Sequence, residues 1–337
     1  MGVKPLGIGV IGAGRIGRLH AENAARLPGV RLVAVGDPCP GRAGAVVAGC
    51  GQGLACTDPA EVLSHPDVEA VLICSSTETH VPLLTAAAAA HKHVFCEKPL
   101  DFEPARIQSA LAAVEGAGVR LQVGFNRRFD AGFARLAAGI RGGEIGRPEM
   151  LRITSRDPEP PPAEYVRGSG GMFVDMTIHD FDLARFLLQD EIVEVHATGA
   201  SLVDPRIGAA GDIDTAVVTL RFAGGALGCI DNSRRAVYGY DQRAEVLGSN
   251  GCLVAGHVTP DAVTRWDANG QTQARPLHFF LERYRDAYVA ELRSFVDAIR
   301  EERTPPVTGH DGLQATRIAL AAQQSLVERR PVAVELR

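Results

Sequence analysis

With 337 residues, 46% of them hydrophobic and 22% charged, the chain has the composition of a globular protein of about two domains. A formal net charge of −5 gives no basic footprint for nucleic acid or an anionic membrane, and no apolar run is long enough to span a bilayer. Met1–Pro5 lack the charged, apolar and small-residue regions of a signal peptide. The cysteines (Cys39, Cys50, Cys56, Cys74, Cys96, Cys229 and Cys252) are odd in number and form no Cys-x-x-Cys. Reduced thiols in a cytoplasmic protein are expected, rather than a disulfide framework or a zinc ribbon.

In chain order, Leu6–Ile11 reads as a buried parallel strand and Arg15–Leu27 as a helix that stops before Pro28. Arg31–Val35 is a second strand. Thr57-Asp58-Pro59 caps a helix that runs to Ser64. Strands follow at Val68–Cys74, His93–Cys96 and Val119–Gly124, with helices at Pro82–Ala90 and Pro104–Glu115. This alternation predicts βαβ units and a doubly wound parallel sheet over residues 1–125.

Beyond residue 125 the pattern changes. A helix is expected over Asp130–Arg141, a strand over Pro148–Ser155, an extended proline-rich loop over 157–162 and a helix over Val174–Leu188. Several strands with turn signals lie between Ile192 and Val254, and amphipathic helices over Leu281–Arg300 and Gly312–Glu328. Residues 126–337 therefore read as an α+β domain with a mainly antiparallel sheet.

Gly12-Ala13-Gly14-Arg15-Ile16-Gly17 is a G-x-G-x-x-G that follows a strand, opens a helix and precedes an acidic residue, Asp37, at the end of the next strand. That context is the dinucleotide fingerprint. Gly12 permits the tight turn, Gly14 lets a pyrophosphate approach and Gly17 lets the helix pack on the sheet. The helix N-terminus offers N–H groups to the anion. The Asp37 carboxylate suits two ribose hydroxyls and repels a 2′-phosphate, which points to NAD, while nearby Arg42 leaves room for NADP.

Cys96-Glu97-Lys98-Pro99 follows a strand of the same sheet, where ligands bind in such folds. From there Lys98 can reach a nicotinamide ribose and a substrate oxygen, or serve as a solvated loop charge. On the helix after Gly170-Gly171, Asp175 and His179 are four apart and share a face. Three readings of that pair stand: a structural hydrogen bond, half of a metal site, or an acid/base pair.

GIGVIGAGRIG at 7–17, CSSTETH at 74–80, CEKP at 96–99 and GGMFVDMTIHDFDLARF at 170–186 together resemble the Gfo/Idh/MocA oxidoreductase family over essentially the whole chain. NRRFD at 126–130 and YGYDQRAEVLGSNG at 238–251 resemble its inositol 2-dehydrogenase branch. Cys74-Ser75-Ser76 departs from the Ala-Thr-Pro common in the wider family. The resemblance implies a Rossmann domain, a second domain with a large open-faced sheet used in homotetramer assembly, NAD as cofactor, and Lys98, Asp175 and His179 as catalytic residues; no metal is expected, since no companion His/Cys cluster stands beside that pair. It implies oxidation of a cyclic polyol, myo-inositol first, with scyllo-inositol, another isomer or a sugar as alternatives, and a non-catalytic dinucleotide sensor as the rival of another class. Ser75, Ser76, Thr77, His80 and Glu97 join the expected cofactor residues. Asn126, Arg127, Asp157, Tyr238 and Tyr240 join the expected polyol residues, with His278 and Tyr284 behind them.

Overall fold

A computed structural model describes residues 4–336. The chain divides into two compact units: one holds the residues up to Asn126 together with Tyr288–Thr316, and the other holds Arg127–Ala287 together with the residues from Arg317 on. The stretch Tyr288–Thr316, assigned by sequence to the second region, therefore belongs to the first.

In the first unit, β1 (Leu6–Ile11), α1 (Arg15–Arg26), β2 (Val30–Gly36), α2 (Arg42–Cys50), β3 (Leu54–Cys56), α3 (Pro59–Ser64), β4 (Ala70–Ile73), α4 (His80–Ala89), β5 (His93–Cys96), α5 (Pro104–Ala117) and β6 (Leu121–Val123) alternate along the chain. The strands form a parallel sheet in the order β3-β2-β1-β4-β5-β6. Strand order reverses between β1 and β4, and ligands of doubly wound sheets bind at that switch point. Two elements, α2 and β3, were not anticipated. Glycines at 41, 44, 49 and 51 weaken the helical signal, yet the helix forms and stops at Gly51, which takes the left-handed conformation at φ 68°. Leu292, Phe295 and Val296 complete the core made by Ile8, Leu72 and Phe95. Edge strand β6 is covered: Val123 N donates to Val307 O at 3.1 Å, and Gln122 Nε2 to Glu291 O at 2.9 Å.

The second unit contains α6 (Ala131–Arg141), β7 (Pro148–Arg156), α7 (Ala163–Gly168), α8 (Ile178–Leu188), β8 (Ile192–Ala200), α9 (Pro205–Ala209), β9 (Thr215–Phe222), β10 (Leu227–Ser233), β11 (Asp241–Gly248), β12 (Gly251–Ala255), the hairpin β13 (Thr264–Asp267) and β14 (Gly270–Gln273), and α10 (Phe280–Arg283). Two helices, α11 (Arg285–Arg300) and α12 (Gly309–Glu328), run through both units, and β15 (Val332–Ala333) closes the chain. The sheet order is β12-β11-β7-β10-β9-β8-β15, antiparallel except for the β7–β10 pair. Burial alternates along β9 and β10, so one face of the sheet is covered and the other open. On the open face Met150, Leu227 and Leu247 stand in register on neighbouring strands. Trp266, the single tryptophan, lies on the hairpin with 72% of its surface exposed. Among the described residues no helix is long and apolar enough to cross a membrane.

Candidate active site

The glycine loop lies at the end of β1. Gly12 has φ +95°, and a Cβ there would stand 2.6 Å from Ser75 N, so the loop presses on the chain after β4. A Cβ on Gly17 would lie 1.7 Å from Gly12 O, which leaves no atom for that position. At Gly14 a Cβ would meet nothing within 4 Å. The glycine is therefore not demanded by the chain's own packing, and a bound pyrophosphate fits the open space. No side chain caps α1 and no acid stands in its first turn, which leaves the positive end of the helix for an anion. The carboxylate of Asp37 braces this loop, accepting from Ala13 N at 2.7 Å and Cys39 N at 2.8 Å. A carboxylate has lone pairs for further donors.

The chain after β4 and the chain after β5 are tied by a buried histidine. His80 Nδ1 lies 2.7 Å from Pro99 O, and Nε2 lies 3.0 Å from Ser75 O. Burial holds its pKa below the usual histidine value, against the two carbonyls that raise it. A neutral ring donates through one nitrogen only. His80 thus braces the loop of Ser75, Ser76 and Thr77 against the Lys98-Pro99 bond, which is cis. Glu97 turns inward: Oε1 meets His20 Nε2 at 2.9 Å, and Oε2 accepts from Lys98 N at 3.3 Å. Lys98 follows at a half-buried position. Burial lifts the Cys74 and Cys96 thiols well above their usual pKa, so both stay protonated at neutral pH.

In the second unit one π-helical turn, Phe173–Thr177, leads into α8. The helix expected over Val174–Leu188 therefore begins with wider winding, and Asp175 stands in that turn one turn before His179. Such turns occur often at functional sites. Both residues are half-buried on an otherwise buried segment. Asp175 Oδ1 accepts from Tyr165 OH at 2.8 Å, and Oδ2 from Arg234 Nη2 at 3.0 Å. A guanidinium against this carboxylate opposes the half-metal-site reading. Neither Arg234 nor Tyr165 was anticipated; one sits 59 residues and the other 10 residues from Asp175, with no spacing signal.

The NRRFD run serves as a lock. Arg127 pairs with Asp180 while its Nη2 donates to Ser155 Oγ at 3.3 Å. Arg128 grips Asp182 through Nε at 2.8 Å and Nη2 at 2.5 Å, and Arg283 grips Asp130. Asp180 also accepts from Asn232 Nδ2 at 2.9 Å. Burial raises the Asp180 pKa, opposed by Arg127. The structure therefore places Arg127, an expected polyol residue, inside a buried ion pair. Asn126 is 2% exposed, and its Nδ2 meets no hydrogen-bond partner among the described residues. Asp157 sits 3.9 Å from Arg234 Nη1. Tyr240 is buried edge-on to Tyr284, with ring centroids 6.0 Å apart. Tyr238 goes elsewhere: its hydroxyl donates to Asp241 at 2.5 Å and accepts from Arg156 Nη1 at 3.0 Å. His278 N donates to Glu282 Oε2 at 3.3 Å.

Residues 6–125 match the oxidoreductase family's NAD-binding Rossmann fold, and residues 133–254 match the GFO/IDH/MocA C-terminal domain. The chain belongs to the GFO/IDH/MocA oxidoreductase family. It is 51% identical to a myo-inositol 2-dehydrogenase of Thermotoga maritima, over 97% of this chain and 98% of that protein. An inositol 2-dehydrogenase of Rhizobium meliloti is 45% identical over 97% and 98%. The fold is similar to the crystal structure of a Lactobacillus casei scyllo-inositol dehydrogenase with bound NAD(H) and scyllo-inositol, with a TM-score of 0.92 and 30% identity over 98% and 99% of the two chains. As a family member the chain carries an NAD-binding Rossmann domain and is an oxidoreductase.

Proposed function

We propose that this protein is an NAD-dependent inositol 2-dehydrogenase that oxidises the C2 hydroxyl of myo-inositol to the ketone. The observation that carries the reading is the half-buried Asp175–His179 pair, set one turn apart on a packed helix in an NAD-binding oxidoreductase. Gly12, Gly14, Arg15, Ile16 and Gly17 hold the pyrophosphate and Asp37 the adenosine ribose. Ser75, Ser76, Thr77, His80, Glu97 and Lys98 form or brace the nicotinamide end. When bound, the nicotinamide ring supplies the acceptor for the hydride of the carbinol carbon.

The chain's own work concerns the oxygen. Its proton must leave as the carbon is oxidised, and His179 takes it as general base. The Lys98 ammonium donates to the same oxygen and stabilises its developing negative charge. Asp175, oriented by Tyr165 and Arg234, accepts from a neighbouring ring hydroxyl. Asn126 offers its buried amide donor to a ring oxygen, and Asp157 and Tyr240 complete the polyol contacts. Arg127 acts through the Asp180 lock under α8, and Tyr238 stays with Arg156.

A second reading, scyllo-inositol as substrate, has support from the scyllo-inositol dehydrogenase of similar fold. Assembly as a homotetramer through the open sheet face is part of the proposal, supported by the exposed Met150, Leu227 and Leu247. So is a place in cytoplasmic inositol catabolism. NADH formation with myo-inositol, scyllo-inositol, further isomers and sugars tests the whole reading. Tight dinucleotide binding with no turnover of any polyol would favour the sensor instead.

A further inference from the structure

Arg234 joins the strand end after β10 to the loop after β7. Its backbone N donates to Asp214 O at 2.8 Å. On either side of it the chain is stitched to Asp157: Asp157 N donates to Ser233 O at 2.9 Å, and Ala236 N donates to Asp157 O at 2.6 Å. The Arg234 side chain is 2% exposed, while those of Asp175 and Asp157 are 12% and 26% exposed. The guanidinium bonds Asp175 at 3.0 Å but stands 3.9 Å from Asp157, beyond hydrogen-bond reach. No described residue donates a hydrogen bond to the Asp157 carboxylate.

The cluster is asymmetric. One cation faces two carboxylates; Asp175 is bonded, and Asp157 is held nearby with its acceptors unspent. A charge so arranged is a poor investment for stability alone, since a buried arginine and carboxylate roughly cancel their desolvation cost. It is well suited to hydroxyl donors, because a carboxylate accepts at several lone pairs. Neighbouring hydroxyls on a ring offer two donors side by side, and their relative direction differs between ring isomers.

We propose that Arg234 is a positioning residue that fixes Asp157 and Asp175 as a pair of acceptors for two neighbouring hydroxyls of the polyol, so that discrimination among ring isomers depends on it. The proposal rests on the inositol reading above. A proton on Asp157 removes one acceptor. Burial pushes that carboxyl up to about 6, with Arg234 opposing, Asp175 adding, Arg127 opposing and Asp180 adding. Asp157 therefore loses its acceptor role as the pH falls through about 6, and regains it above.

The test uses the full chain with NAD and a panel of inositol isomers, comparing wild type with Arg234→Lys and Asp157→Asn. Asp157→Asn keeps shape at a partly exposed site and covers the case in which Arg234→Lys fails to fold. In both variants KM for the preferred isomer should rise about tenfold, with kcat changed by no more than about threefold. The ranking of isomers should flatten, while dinucleotide binding, read by isothermal titration calorimetry, stays unchanged. Below pH 6, log kcat/KM should fall more steeply in wild type than in Asp157→Asn, which has no carboxyl to protonate at that position. Active wild type with the same isomer ranking and the same acid slope in the variants would overturn the proposal alone. Wild type that oxidises no polyol would overturn the inositol reading and this proposal together.

Discussion

The two units hold their loops and helices in place by different means. The first builds its loops from backbone: a glycine turn, an uncapped helix end and strand ends braced by Asp37 and His80. The second builds from side-chain ions: Arg127 with Asp180, Arg128 with Asp182, and Arg234 with Asp175. Where backbone does the holding, a substitution that adds one atom acts on the ligand if the space beside it is open, as at Gly14, and on the fold if it is filled, as at Gly17. Where buried ions do the holding, removing one leaves its partner stranded and acts on the fold.

The largest effect is expected at the proposed general base, His179. His179→Ala should lower kcat by about 10²–10⁴ with the NAD dissociation constant unchanged. Loss of NAD binding instead would move His179 out of the polyol site. Next comes the ion lock. Arg127→Met should cost about 3–5 kcal/mol, because Asp180 remains buried without its cation, and circular dichroism melts should show it. A melt equal to wild type would erase the contrast between the units.

The glycines sharpen the same contrast inside one loop. Gly14→Ala should weaken NAD about tenfold and leave the melt unchanged, since its Cβ meets nothing in the protein. Gly17→Ala, whose Cβ would overlap Gly12 O, should lower the melting temperature. A smaller effect is expected at Asp37. Asp37→Ser should narrow the preference for NAD over NADP by about tenfold, read as the ratio of kcat/KM values. Smallest, His80→Ala should lower kcat several-fold, about one neutral hydrogen bond's worth, through looser seating of Lys98.

These differences also explain what the sequence disclosed. Gly12, Gly14 and Gly17 were legible because a backbone requirement narrows the choice to one residue type at a fixed offset. Asp175 and His179 stood out because two polar side chains four residues apart interrupt an otherwise apolar stretch. Arg127 was readable as important but not as an ion-pair partner, since Asp180 lies 53 residues away. Arg234 was invisible for the same reason. The assignment of Tyr288–Thr316 failed on a related point: an apolar helical stripe predicts that a face is covered, not which sheet covers it. The π turn before α8 escaped because period 3.6 and a slightly wider winding both align residues four apart.

Trp266 has a practical bearing on how all this is measured. The sole indole already faces water on a two-stranded hairpin. Its emission will therefore change little when either core melts, and fluorescence-monitored denaturation would carry little signal. The same indole is a clean reporter of anything that settles on the hairpin, since no second tryptophan dilutes its signal.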